Sequence, residues 1–223
     1  MRVQHLNAVL SNAKSSQAKT ISVESVASNY RFYAPLYDRL FGAVLEPGRQ
    51  ALAQTVAALR PRSLLEVGVG TGLTLSQYPA STQIVGIDIS DEMLEIAKGR
   101  AEKMPERNIQ LAAMNAESMD FPNDSFDCVA IPYVLSVTPN PERLVSEIRR
   151  VCRKGGTILI LNHFSGSHFW WFLEKVVRSF ANRIGFRSDF SFNEQILKHS
   201  WEVQSVQRVN FLGLSKLVHI RNI

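Results

Sequence analysis

The stretch "LLEVGVGTG", Leu64 to Gly72, constrains the fold more than any other part of the chain. A short apolar run that breaks into alternating glycines reads as a buried strand ending in a tight turn, because glycine enters left-handed backbone at little cost. After it the chain alternates. "QIVGID" reads as a second strand, and "SDEMLEIAKGRAEKM" as a helix capped by Ser90, with Asp91 and Glu92 at its positive end. "NIQLAAM" is a third strand, "FDCVAIPYVL" a fourth, "PERLVSEIRRVCRK" a helix closed by Gly155, and "GTILILNHF" a fifth strand. Further helices are expected from near Thr71, over Pro47–Leu59 and over about Ser167–Ile184, with "WEVQSVQRVN" and "LSKLVHIR" forming a closing hairpin. This alternation predicts an α/β fold, a mostly parallel sheet with helices on both faces. No repeat or low-complexity tract interrupts the 223 residues, so one domain is expected.

Composition narrows the setting. A hydrophobic share of 45% is that of an ordinary globular chain. No apolar run reaches the ~20 residues that span a bilayer, and the N-terminus lacks a secretory layout. The two cysteines, Cys128 and Cys152, have no metal-type spacing and fall on expected core elements. Buried thiols in a reducing, cytoplasmic compartment and no metal site are therefore expected. Charge is unevenly spread: residues 1–62 carry +5, residues 63–161 carry −4 and residues 162–223 carry +4. Basic ends around an acidic middle suit nucleic acid, an anionic membrane or an acidic substrate. Residues 1–24 place Val3, Leu6 and Leu10 among basic residues, either as a flexible terminus or as an amphipathic segment on lipid.

The glycine turn carries a carboxylate. A dinucleotide turn reads G-x-G-x-x-G, whereas here Gly68, Gly70 and Gly72 are spaced G-x-G-x-G and Leu73 stands where the last glycine belongs. Glu66 at the mouth would repel a pyrophosphate in a partly desolvated crevice. S-adenosylmethionine has no phosphate and carries a sulfonium and an α-ammonium, so the same charge attracts it. Asp88, ending the second strand, is placed to accept both ribose hydroxyls.

"LLEVGVGTG", "IVGIDISDEML", "NAESMDFPNDSFDCV" and "EIRRVCRKGGTILI" occur in order over Ser63–Leu161, and jointly they resemble the class I S-adenosylmethionine-dependent methyltransferases. The resemblance implies a Rossmann-like, seven-stranded, mostly parallel sheet with an antiparallel last strand, and S-adenosylhomocysteine as product. It implies that backbone at Gly68 and Gly70 admits the methionine part. Ile89 and Met93 then pack near the adenine, with Asn115, Ala116 and Glu117 along its edge, although Met93 also reads as plain helix core. Asn115 departs from the aspartate usual in the family.

The acceptor side is read from the strand ends and the basic flanks. Tyr30, Tyr33 and Tyr37 would share one face of a helix, which Pro35 interrupts, so they form either a lid or aromatic packing. Asn162 and His163 end the fifth strand at the mouth of the site. Beyond them, aromatics mixed with Lys175, Arg178, Arg183 and Arg187 could stack bases, meet a phospholipid or fill a core. "YRFYAPLYDRLFG", "PYVLSVTPNPERL" and "NHF" are similar to the bacterial phospholipid N-methyltransferases that act on phosphatidylethanolamine and make phosphatidylcholine.

That resemblance implies a phospholipid substrate and an anionic membrane surface as partners, a cytoplasmic enzyme held peripherally at the inner face, and no nucleic acid. It implies a lid over 25–62 on a single domain over 25–223, with Tyr37 reaching the cofactor carboxylate. His163 or Tyr33 would handle the acceptor's proton, Tyr30 and Asn162 would meet the acceptor, and Arg178 or Arg183 would hold its phosphate. A quinone or other small-molecule methyltransferase, a nucleic-acid methyltransferase and a non-catalytic binding module remain as alternatives. The nucleic-acid case is weakened because "IPYV", not an Asn/Asp-Pro-Pro-aromatic loop, follows the fourth strand.

Overall fold

The computed structural model describes residues 44–163, 201–210 and 213–223. Seven strands form one sheet, β1 (Ser63–Val67), β2 (Gln83–Asp88), β3 (Ile109–Ala113), β4 (Phe126–Pro132), β5 (Cys152–His163), β6 (Glu202–Val209) and β7 (Ser215–Arg221). Their spatial order is β3-β2-β1-β4-β5-β7-β6. Strands β1 to β5 are mutually parallel, and β7 pairs antiparallel with both β5 and β6. Three described helices cover the sheet: α1 (44–59), α2 (Asp91–Ala101) and α3 (Pro141–Val151).

Alternation along the strands sorts the core into two layers. On one face Leu144, Val145, Ile148 and Val151 of α3 pack on Leu65, Val129, Ile131, Ile158 and Ile160. On the other, Leu52 and Val56 of α1 and Leu94 and Ala97 of α2 pack on Leu64, Ile84, Ala130, Leu159 and Leu161. Neighbouring residues such as Leu64 and Leu65 point to opposite faces because the side-chain period of a strand is two. Each of α2 and α3 starts on a side-chain cap: Ser90 Oγ accepts from Met93 N, and Asn140 Oδ1 accepts from Arg143 N ahead of a proline in the first turn.

Three expected elements differ. The helix expected from near Thr71 is a single 3-10 turn, Leu75–Gln77, because Pro79 forces Tyr78 into extended backbone with ψ 157°. Helix α3 stops at Val151, not at Gly155, since Cys152 is extended with ψ 127° and pairs with Phe126 at the start of β5. Strand β4 ends at Pro132, and Tyr133 turns away with φ 62°. Of the segment expected as a lid over 25–62, the described part is α1 and the turn into β1, and Leu52, Ala53 and Val56 of that helix are buried. Residues 1–24 and the helix expected over about 167–184 lie outside the described residues. Cys128 and Cys152 are free and buried, and burial pushes both thiols up.

Strand order reverses between β1 and β4, so the 3-10 turn after β1 and helix α3 after β4 lie on opposite faces and a crevice opens at the strands' carboxyl ends. Glycine is required where the turn meets α2. Gly72 has φ 79°, and a Cβ there would lie 2.7 Å from Leu75 Cδ1 and 3.3 Å from Ala97 Cα. Gly72→Ala is expected to destabilise the fold by ~1–2 kcal/mol through the backbone alone, before any clash. A urea denaturation midpoint equal to wild type would contradict this.

Candidate active site

A cavity of about 190 Å³ occupies that crevice. Its floor is the glycine turn. Gly68 N and Val69 N donate to Ile87 O at 2.8 and 3.0 Å, and Gly70 N donates to Asp88 Oδ2 at 2.8 Å, binding the turn to the end of β2. Gly68, Gly70 and Gly72 all have positive φ, 70°, 55° and 79°. Gly68 also sits so close to the β4 side that a Cβ on it would lie 2.2 Å from Val134 Cγ2. Only a glycine lets those two walls of the cavity meet.

Asp88 does two jobs. Its Oδ2 takes Gly70 N–H, and its Oδ1 takes Ser90 N–H at 3.0 Å. Each oxygen keeps a lone pair for a further donor, so the pair can accept two vicinal hydroxyls without losing the turn. Burial raises this carboxyl's pKa, and the backbone N–H groups of Ser90, Gly70 and Ile89 oppose that rise.

Glu66 is the unusual group. It is 1% exposed and borders the cavity. Its Oε1 accepts from the Thr74 hydroxyl, while its Oε2 is buried without a well-formed hydrogen bond among the described residues, the buried Tyr78 hydroxyl being the neighbour that helps to stabilise its charge. Burial pushes its pKa up to about 7, against the favourable influence of Thr74, Tyr78 and Arg49, and Asp88 adds to the rise. Arg49 of α1 is 7% exposed and pairs with Glu46 through Nε and Nη2 at 3.0 and 2.8 Å. A buried carboxylate oxygen without a partner costs stability until a donor meets it. An ammonium group on a phosphate-free ligand satisfies it, and a pyrophosphate does not.

The loop after β3 closes the next side. Asn115 Oδ1 accepts from Glu117 N at 2.9 Å, forming a local turn. Glu117 borders the cavity, but its Oε1 accepts from Thr138 Oγ1 and Asn140 N, both at 2.7 Å, so it also struts the loop after β4. Ile89 and Met93 supply apolar surface beside it, with Met93 4% exposed.

The structure thus brings Glu66, Gly68, Gly70, Asp88, Ile89, Met93, Asn115, Ala116 and Glu117 around one cavity. Gly72 packs beneath the turn and does not border it. Asn162 and His163 do not border it either. Asn162 is fully buried, with Oδ1 accepting from Ser136 Oγ at 3.3 Å and Nδ2 donating to His163 O at 3.0 Å. The His163 ring lies against Tyr133, 4.9 Å between centroids, and its Nδ1 is 2.7 Å from Ser215 Oγ. Burial lowers its pKa to about 4.

Tyr30, Tyr33, Tyr37, Arg178 and Arg183 lie outside the described residues. Sequence reasoning missed Thr74, Arg49 and Tyr133. Thr74 is a generic hydroxyl eight positions past its partner, Arg49 reads as the solvated face of a helix, and nothing in "IPYV" announces a left-handed tyrosine. Among the described residues no cluster of His, Cys, Asp and Glu could hold a metal ion.

A family described as a methyltransferase domain matches residues 65–160. Over 173 residues the chain is 42% identical to the phosphatidylethanolamine N-methyltransferase of Cereibacter sphaeroides, covering 77% of this chain and 84% of that protein. It is 36% identical over 104 residues to a demethylmenaquinone methyltransferase of Lactococcus lactis, covering 44% of this chain and 41% of that one. Among solved structures, an S-adenosylmethionine-dependent methyltransferase of Thermotoga maritima, described as a possible histamine N-methyltransferase, superposes with a TM-score of 0.67. The two are 19% identical over 89% of this chain and 100% of the other, a likeness of fold.

The electrostatics of Glu66 have a measurable consequence without any ligand. Its folded pKa is raised from 4.5 to about 7, so between those values the folded protein holds a proton that the unfolded chain has released. Stability therefore falls as pH rises through that window and levels off above it. Glu66→Gln, which cannot titrate, is expected to exceed wild type in stability at pH 8 by up to ~3 kcal/mol and to approach it at pH 5. Thermal denaturation of both proteins at the two pH values checks this, and a difference independent of pH would contradict it.

Proposed function

Because the chain belongs to the class I S-adenosylmethionine-dependent methyltransferases, we propose that it N-methylates phosphatidylethanolamine and its methylated intermediates toward phosphatidylcholine at a membrane surface. The observation that carries the acceptor is the similarity to the Cereibacter sphaeroides protein, which extends well beyond the domain match. The quinone methyltransferase relatives support a second reading, C-methylation of a quinone, but their similarity covers a smaller share of the chain. No helix among the described residues is long and apolar enough to cross a membrane. The basic stretches at either end of the chain suit attraction to an anionic leaflet at the cytoplasmic face, worth about 1 kcal/mol for each Lys or Arg near the surface.

The residues present fit the cofactor. Glu66, with its orphaned buried oxygen, would take the α-ammonium, and Asp88 would take the ribose hydroxyls. Asn115, Ala116 and Glu117 with Ile89 and Met93 would border the adenine. Arg49 joins Tyr37 as a candidate for the carboxylate, being a buried cation on the cavity wall. When bound, S-adenosylmethionine supplies a methyl group activated by its sulfonium, and transfer to a neutral amine leaves S-adenosylhomocysteine and an alkylammonium. The chain's own work is then to align the amine and keep water out. On the acceptor side Tyr30 is kept for the head group, Tyr33 for its proton and Arg178 or Arg183 for its phosphate, whereas Asn162, fully buried and away from the cavity, is a support for the end of β5.

Incubation with methyl-labelled S-adenosylmethionine and vesicles of phosphatidylethanolamine with an anionic lipid tests the reading. Mono-, di- and trimethylated phospholipid are expected on chromatography, whereas label in a quinone and none in phospholipid would overturn it. In calorimetry Asp88→Ala is expected to weaken S-adenosylmethionine binding at least about tenfold, because charge-assisted hydrogen bonds are lost. Native affinity in that variant would remove Asp88 from the site.

A further inference from the structure

The cavity has an aromatic wall that the cofactor anchors do not use. Tyr133 borders it directly after β4, in left-handed backbone with φ 62°. A bulky residue stays there only when its surroundings over-determine it. Its N–H donates to Leu161 O at 2.6 Å. Its ring lies against His163, tilted by 31°. Its hydroxyl accepts from Asn210 Nδ2 at 3.0 Å.

Asn210, in the turn after β6, ties three elements together. Its Oδ1 accepts Gly48 N–H of α1 at 2.6 Å, and its Nδ2 also donates to Ser215 Oγ at 2.7 Å. Ser215 in turn meets His163 Nδ1. The lattice leaves no room at position 48, where a Cβ would lie 2.5 Å from the Tyr133 hydroxyl and 2.9 Å from Asn210 Oδ1. Four parts of the fold converge on one ring: α1, the ends of β4 and β5, and the β6–β7 hairpin.

We propose that Tyr133 is the residue that contacts the acceptor amine, and that Asn210, Ser215 and His163 are positioning residues that hold its ring on the cavity wall. This rests on the phospholipid reading above. The chemistry suits an amine that changes as it reacts. An uncharged aromatic surface attracts an ammonium, and it needs no N–H donors from it. The head group loses such donors with each methyl, so an aromatic wall serves every stage, while a carboxylate would grip the protonated amine and keep its proton in place.

His163 does not act as the base in this arrangement. Its Nδ1 is engaged by Ser215, the ring also hydrogen-bonds the Leu214 backbone, and Tyr133 covers it from the cavity. A ring with a pKa near 4 is neutral at physiological pH, so it adds no positive charge behind the aromatic wall. The phenol's own pKa is raised, mainly by burial, which keeps Tyr133 protonated as well. The proton that each ammonium carries therefore passes to neither His163 nor Tyr133 before the nitrogen lone pair attacks.

The test uses the full chain, labelled S-adenosylmethionine and vesicles of phosphatidylethanolamine or its dimethylated form. Tyr133→Leu is expected to raise KM for the dimethylated lipid about tenfold with a smaller change in kcat. Its affinity for S-adenosylhomocysteine, measured by calorimetry, is expected to stay near wild type, which also shows that the variant folds. Tyr133→Phe restores the ring and is expected to recover most of the loss. His163→Phe is expected to slow turnover yet keep the wild-type pH profile of kcat/KM. A Tyr133→Leu variant with wild-type KM, or a His163→Phe variant that loses an ionisation from the profile, would overturn the assignment. A wild-type protein that labels no phospholipid overturns the acceptor reading itself.

Discussion

One buried carboxylate sets the terms for the rest of the site. Glu66 is held at the end of β1 on the border of a cavity, bonded by Thr74 through one oxygen and buried at the other, beside the Tyr78 hydroxyl. A group in that state raises its own pKa and weakens the ligand-free fold, which a protein tolerates where a bound cation recovers the loss. The glycine turn, the Asp88 bonds to Gly70 and Ser90, and the close approach of Gly68 to Val134 shape the cavity that Glu66 borders.

Much of this was legible in the sequence because it is written in local rules. Glycines at 68, 70 and 72 demand left-handed backbone, Ser90 ahead of two carboxylates marks a helix start, and alternating apolar residues divide the sheet's faces. The seven strands and the antiparallel β7 followed from the family resemblance, while the order of the strands came from the structure. The details that failed depended on a neighbour. Pro79 shortens the expected helix to one turn, and pairing with Phe126 draws Cys152 out of α3.

The acceptor side was far less legible, for the same reason. Tyr133, Asn210 and Gly48 are separated by up to 162 positions, and each looks unremarkable where it stands. Their meaning comes from convergence at the strand ends, which no periodicity encodes. His163 is the opposite case: a histidine at the end of a strand suggests chemistry, while the structure buries its ring against Tyr133 with Nδ1 on Ser215. One cavity is thus bordered both by the carboxyl groups of Glu66 and Asp88 and by the ring of Tyr133.

The central claim is that ligand cation and Glu66 carboxylate meet in the cavity. Proton release on binding tests it most directly. Titration calorimetry with S-adenosylmethionine in two buffers of different ionisation enthalpy gives the number of protons exchanged. With Glu66 at a pKa of about 7 in the free protein, binding should expel nearly one proton at pH 6 and about half of one at pH 7. Heats that are identical in the two buffers at both pH values would mean that the cation does not meet an ionising Glu66, and the account would be wrong.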